Sequence, residues 1–227
     1  MKFLLIVDDY LPHSKKIAAK MMHELAVQLY KNGHSVSVLT PYYGINERYK
    51  ITFMDGIEVI YFRNGKLKNI SKFKRALNET LLSFNAYKNC YNFFIKSSFD
   101  GIIYFSPSIF FGPLVSILKK KWKCNTYLIL RDIFPQWAVD NGLINKWSLI
   151  HIYFRFFERL NYKSADRIGV MSNSNLKYFS KRFKSINKFE VLFNWASITK
   201  RSKPKIKYRK KLFLQDKIVF FYGGNIG

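Results

Sequence analysis

The chain has 227 residues, 48% of them hydrophobic and 18% aromatic, which is enough apolar material for a sizeable core and excludes a disordered protein. Its 39 Lys and Arg against 14 Asp and Glu give a formal net charge of +25, a field that favours an anionic partner: nucleic acid, an acidic membrane surface or phosphorylated ligands. Two cysteines, Cys90 and Cys124, form neither a disulfide framework nor a metal pattern and fit a reducing, cytoplasmic setting; with no signal peptide and no apolar stretch of about 18 residues, membrane contact is expected only at the surface.

Phe3–Val7 is an apolar run that reads as a buried strand. After a loop over 8–14, Ile17, Met21, Met22, Leu25, Ala26 and Leu29 recur at three- and four-residue spacing, an amphipathic helix that Asn32-Gly33 ends. Val36–Leu39 is the next strand. Strand, helix, glycine, strand is a right-handed βαβ unit of a parallel sheet. The charge is not spread evenly. Residues 1–60 hold seven basic and six acidic residues, 61–130 hold twelve and two, and 131–227 hold twenty and six.

Ile57–Phe62 reads as a strand. Lys72–Ile95 reads as one long helix with Phe73, Leu77, Leu81, Phe84, Tyr87, Tyr91 and Phe94 on a stripe. Beside it, Lys68, Lys72, Lys74 and Arg75 form a basic face suited either to solvent or to an anionic bilayer. Further strands are expected at 102–105, 126–130, 167–171 and 190–193, with helices in 107–122, 147–162 and 175–182. The alternation is that of an α/β, Rossmann-like, doubly wound parallel sheet over residues 1–195. Residues 196–216 read as a basic linker with a short helix. Ile218–Tyr222 then reads as a buried strand running into Gly223-Gly224, as if a second domain opened at 217–227.

In open parallel sheets ligands bind beyond the carboxyl ends of the strands. The first such loop, Asp8-Asp9-Tyr10-Leu11-Pro12-His13-Ser14-Lys15-Lys16, gathers two carboxylates, an imidazole and two lysines ahead of a helix N-terminus, with Ser14 as a candidate N-cap. It lacks a dinucleotide fingerprint. The second loop is Arg131-Asp132-Ile133-Phe134-Pro135-Gln136-Trp137. Asp132 there either contacts a sugar hydroxyl or developing positive charge, or serves as the salt-bridge partner of Arg131. In the third, Met171-Ser172-Asn173-Ser174, capping is expected. His23 and His151 fall in helical patterns and read as packing residues.

Together these segments resemble the N-terminal half of a bacterial family 4 glycosyltransferase with the GT-B fold. They resemble the branch of N-acetyl-L-fucosamine transferases of O-antigen and capsule synthesis. The resemblance rests on the Asp8–Lys16 loop, on Asn32-Gly33-His34, on Arg131–Trp137 and on Phe220-Phe221-Tyr222-Gly223-Gly224-Asn225. It implies two Rossmann-like domains facing across a cleft, with most of the nucleotide-sugar-binding domain, including its Glu-x7-Glu motif, lying beyond Gly227. It implies an acceptor side at Asp8, Asp9, His13, Lys15 and Lys16, a catalytic Asp132, and donor-phosphate contacts at Gly223, Gly224 and Asn225. It also implies transfer with retention, no cofactor and no protein-bound metal.

The reading is a glycosyltransferase part that moves an amino- or deoxysugar from a nucleotide-sugar, a UDP-sugar by expectation, to a polyprenyl-diphosphate-linked acceptor. It would work at the inner face of the cytoplasmic membrane and not on nucleic acid, and be inactive as the isolated chain. A basic nucleic-acid-binding protein and a non-catalytic remnant stand as the alternatives.

Overall fold

The computed structural model describes residues 1–183, 186–196 and 208–223, and the chain divides into two units, Met1–Ala196 and Ser197–Gly227. In the first unit one sheet is built from β1 (Lys2–Ile6), β2 (Ser35–Tyr42), β3 (Tyr49–Met54), β4 (Ile57–Arg63), β5 (Gly101–Ser106), β6 (Asn125–Leu130), β7 (Arg167–Val170) and β8 (Phe189–Val191). The strand order is β3-β4-β2-β1-β5-β6-β7-β8. Neighbours pair parallel except β3, which runs antiparallel to β4 at the edge. From β1 the chain builds outward on one side through β2, then returns to β1's other side with β5. The order reverses between β1 and β5, which opens a crevice beyond their carboxyl ends.

The continuous apolar runs are strands covered on both faces. In and just after β1, Leu4 and Ile6 enter one core layer and Leu5 and Val7 the other, as alternation across a strand demands. Around the sheet lie α1 (Ile17–Lys31), α2 (Lys72–Thr80), α3 (Leu82–Asn89), α4 (Tyr91–Lys96), α5 (Gly112–Trp122), α6 (Gln136–Asp140), α7 (Leu149–Ser164) and α8 (Asn173–Arg182). Leu82, Ala86, Phe94, Leu114, Tyr162 and Phe179 carry α3, α4, α5, α7 and α8 into the first layer. Met22 and Ala26 of α1 fill the second, where Leu192 and Trp195 pack against it after β8.

Four expectations need correction. The single helix over 72–95 is three. The chain bends at Leu81 and Cys90, and the buried stripe is Leu82, Ala86, Cys90 and Phe94. Phe73, Leu77, Leu81 and Phe84 face outward instead, and α2 buries no residue at all. β3 was not expected; it pairs with β4 through Asp55-Gly56, both at positive φ (50° and 80°). Ser14 does not cap α1, whose N-cap is Lys16; its hydroxyl donates to Asp9 and accepts from the Lys16 amide. Finally, Ile218–Tyr222 forms no strand. Among the described residues Ile218–Phe221 enter no ladder, and Ile218, Phe220 and Phe221 lie exposed. The described part of the second unit contains one short helix, α9 (Tyr208–Lys211).

Candidate functional site

The crevice at the switch point holds a cavity of about 410 Å³ lined by Asp8, Lys16, Lys68, Arg75, Ser108 and Asp132, with Phe134 and Trp137 as its aromatic wall. Asp8 follows β1, Pro107 and Ser108 follow β5, and Asp132 follows β6, so three adjacent strand ends supply one wall. A second cavity of about 280 Å³ shares Asp8, Leu67 and Lys68 with the first and adds Asp9, His13, Tyr42, Tyr43 and Tyr61.

The first loop is held in shape by Asp9. Its Oδ2 accepts from Ser14 Oγ at 2.6 Å and from Lys68 Nζ at 2.5 Å, and it lies 3.6 Å from Lys16 Nζ. Tyr61 donates its hydroxyl to the Leu11 carbonyl at 2.6 Å, and Tyr10 meets His23 Nδ1 at 2.8 Å. His23 reaches on to Asp55 through Nε2, also at 2.8 Å, so it fastens the loop to the β3–β4 turn. With Asp9 occupied, Asp8 is the carboxyl offered to the cavity. Burial raises its pKa above the ordinary carboxylate value, the nearby Asp9 adds to that, and the Lys16 ammonium opposes it.

Asp132 is the second offered carboxyl. It accepts no hydrogen bond and makes no ion pair among the described residues, and crowding by the surrounding protein raises its pKa. The salt bridge with Arg131 does not form. Arg131 turns into the protein, donates from Nη1 to the Leu192 carbonyl at 2.8 Å, and stands 5.4 Å from the Trp195 ring centroid. Burial lowers its pKa. Buried Arg131 thus anchors the segment after β8, and Asp132 is left free at the strand end.

His13 stacks on Tyr42 with centroids 4.0 Å apart and meets Tyr61 edge-on at 5.4 Å, forming the aromatic side of the second cavity. Lys15 is exposed and lines neither cavity. Ser172 caps α8 by accepting from the Asn175 amide at 3.2 Å, in line with the expected role. Of the four cations assigned to a basic helix face, Lys68 and Arg75 enter the site: Lys68 binds Asp9, and Arg75 Nε donates to Glu79 at 2.8 Å. Lys72 and Lys74 remain exposed. Gly223 is described and exposed, whereas Gly224 and Asn225 lie outside the described residues.

Sequence reasoning missed Arg75, Glu79 and Ser108 as wall residues. Ser108 had a signal, since it follows a predicted strand on the crevice side. Arg75 and Glu79 had none, because α2 reaches the crevice only through tertiary packing.

The fold is shared with solved glycosyltransferases. Starch synthase IV from Arabidopsis thaliana, its catalytic domain bound to ADP and acarbose, superposes with a TM-score of 0.55 at 13% identity, over 85% of this chain and 51% of that one. Phytolacca americana UGT2, in complex with UDP-2-fluoro-glucose and pterostilbene, gives 0.52 at 10% identity, over 85% and 54%. The chain therefore spans about half the length of these structures. Its α/β sheet shares the fold of one Rossmann-like GT-B domain. No protein-family model matches the sequence, and no curated protein does either.

Proposed function

We propose that this chain is the acceptor-side part of a glycosyltransferase. The observation that carries the reading is the sharing of one cavity by the carboxyls of Asp8 and Asp132, from the ends of β1 and β6, at the switch point of a GT-B-type sheet. Sugar transfer joins an acceptor hydroxyl oxygen to the anomeric carbon while the bond from that carbon to the donor diphosphate breaks. The anomeric centre gains oxocarbenium character, and the hydroxyl gives up its proton. A fixed carboxyl at each place stabilises these charges. Asp132 is the group assigned to the reacting centre. Asp8 is assigned to the acceptor hydroxyl, where a raised pKa makes it the stronger proton acceptor.

The cations on the same wall suit an acceptor that is itself a diphosphate. Lys68 has donors beyond the one given to Asp9, and Lys16 and Arg75 stand beside it. The tyrosine and histidine faces of the second cavity suit a sugar ring bonded to that diphosphate. A polyprenyl-diphosphate-linked saccharide combines both. The family 4 assignment, the nucleotide-linked amino- or deoxysugar and retention of configuration come from the resemblance of the Asp8–Lys16 and Arg131–Trp137 segments. The donor half of the reaction is assigned to a second Rossmann-like domain, and Gly223–Asn225 to its phosphate turn.

The test is calorimetric titration of the chain with a water-soluble short-chain isoprenyl-diphosphate saccharide, beside a transfer assay with a panel of nucleotide-sugars. Saturable binding that Asp8→Asn and Lys68→Ala weaken, without turnover by the 227-residue chain, is the expected result. Robust multiple turnover would place the donor site within residues 1–195 and sink the division of labour. No binding would sink the acceptor assignment.

A further inference from the structure

Among the described residues nothing covers one face of α7. Leu149 is 86% exposed, Ile150, Ile152, Tyr153 and Phe156 follow on the same helix, and Trp147 just before it is 74% exposed. A second outward stripe, Phe73, Leu77, Leu81 and Phe84, runs along α2 and into α3. The two adjoin where the Thr80 and Tyr153 hydroxyls meet at 2.6 Å. A soluble chain rarely leaves two contiguous helix faces of large apolar side chains open to water.

The surroundings of this surface are cationic. Lys72 and Lys74 stand on α2, and Lys146, Arg155 and Arg159 on and before α7, with Lys146 Nζ 5.6 Å from the Trp147 ring centroid. Beside α7 a cavity of about 980 Å³ sets Lys146, Arg155, Arg159 and Arg182 against only Asp140 and Glu158, and Glu158 is buried against Arg155 at 2.5 Å. Apolar side chains, ring residues with polar edges, and cations in excess of carboxylates on one surface match the three layers of an anionic bilayer boundary: acyl chains, interface and phosphate.

We propose that the α7 face, together with the α2 stripe, docks this domain on an anionic phospholipid bilayer. The inference deepens the proposed function and rests on it for its purpose. α2 carries both Phe73 and Leu77 of the docking stripe and Arg75 and Glu79 of the crevice wall, so docking brings a lipid-linked acceptor to the mouth of the site. It also moves the centre of the membrane face from the basic residues of 63–96 to α7.

Sedimentation of the full chain with vesicles of phosphatidylglycerol and phosphatidylcholine, against pure phosphatidylcholine, tests the docking with no sugar present. Wild type is expected to bind the anionic vesicles, more weakly in high salt, and to leave neutral ones unbound. Ile152→Glu with Phe156→Glu should lower the apparent affinity by at least ~10-fold, and Lys146→Glu with Arg159→Glu by several-fold. Circular dichroism and melting report whether each variant keeps its fold; the altered side chains are exposed, so unchanged melting is expected. A tail variant, Phe220→Glu with Phe221→Glu, should bind as wild type. Loss of binding in the tail variant alone, or equal binding by the α7 variant, overturns the proposal. So does a dimer in light scattering that the α7 variant splits without a change in vesicle binding, since a second copy would then be the occupant. Failure here leaves acceptor binding in the calorimeter untouched, so the two readings fall separately.

Discussion

Asp132 and Asp9 show how neighbouring residue types separate into different tasks. Asp9 spends its carboxylate on Ser14, Lys16 and Lys68, whereas Asp132 spends its own on nothing among the described residues. Under the proposed function, in a form of the chain that includes a nucleotide-sugar-binding domain, Asp132→Asn should therefore lower turnover by at least ~10²-fold, or ~2.7 kcal/mol in the barrier, with melting nearly unchanged. Asp9→Asn should loosen the loop, raise the apparent Michaelis constant for acceptor and reduce turnover less. Should Asp132→Asn instead lower the melting temperature and spare turnover, the catalytic assignment moves to Asp8. Both positions were legible in the sequence, because polar residues at the carboxyl ends of predicted strands are visible without a structure. The partner of Arg131 was not, since the Leu192 carbonyl comes from 61 residues away. Glu158 offers a different kind of test. Burial, opposed by Arg155, raises its pKa from 4.5 to about 7. Between those values the folded protein keeps a proton that the unfolded chain has lost. Stability should then fall as pH rises from about 4.5 to 7, by about 3 kcal/mol from this group. Urea unfolding across that range should show the slope, and Glu158→Gln should flatten it. A slope unchanged in the variant would assign it to other groups.

The elements that were legible are those whose signal is local. β1, β2, β4, β5 and β6 announce themselves as apolar runs, and α1 as an amphipathic period closed by Asn32-Gly33, with Gly33 at φ 81°. β3 had a local signal that went unread: Asp55-Gly56 between two runs of strand-forming residues marks a hairpin. The break of 72–95 into α2, α3 and α4 had none, because one apolar stripe serves a straight helix as well as a bent one. What bends it is the sheet, which takes Leu82, Ala86, Cys90 and Phe94 and leaves the Phe73–Phe84 stripe outside. Packing between α5 and α7 is likewise invisible to periodicity, and it yields a sharp expectation. A Cβ on Gly112 would lie 2.6 Å from the backbone N and Cα of Asn161. Those atoms belong to a helix whose Asn161 carbonyl accepts the buried Tyr104 hydroxyl at 2.6 Å, so they have little room to retreat. Gly112→Ala should cost about 1–3 kcal/mol despite its better helix propensity. Chemical denaturation that shows no loss would mean that the two helices separate at little cost.

The two units differ in kind. Met1–Ala196 has two buried layers on one sheet, whereas the described part of Ser197–Gly227 contains one four-residue helix and no buried side chain. Ile218, Phe220 and Phe221, at 88%, 95% and 90% exposure, are strand-forming residues outside any ladder of the described structure. Exposed β-prone apolar segments of this sort drive association between chains. Deleting residues 205–227 should then leave the melting of the remaining domain within a few degrees of the full chain, because among the described residues the sheet and both of its layers draw only on Met1–Ala196. The same deletion should raise the concentration at which the protein stays monodisperse. It should also leave vesicle binding in place, since α7 and α2 remain. Light scattering and calorimetric melting of the two forms, side by side, decide the matter. A collapse in melting temperature would make the tail part of the first domain's core. Unchanged association would instead shift the cause to the open faces of α2 and α7, which the same preparations could test by adding anionic vesicles: a chain that associates through its docking face should disperse when a bilayer covers it.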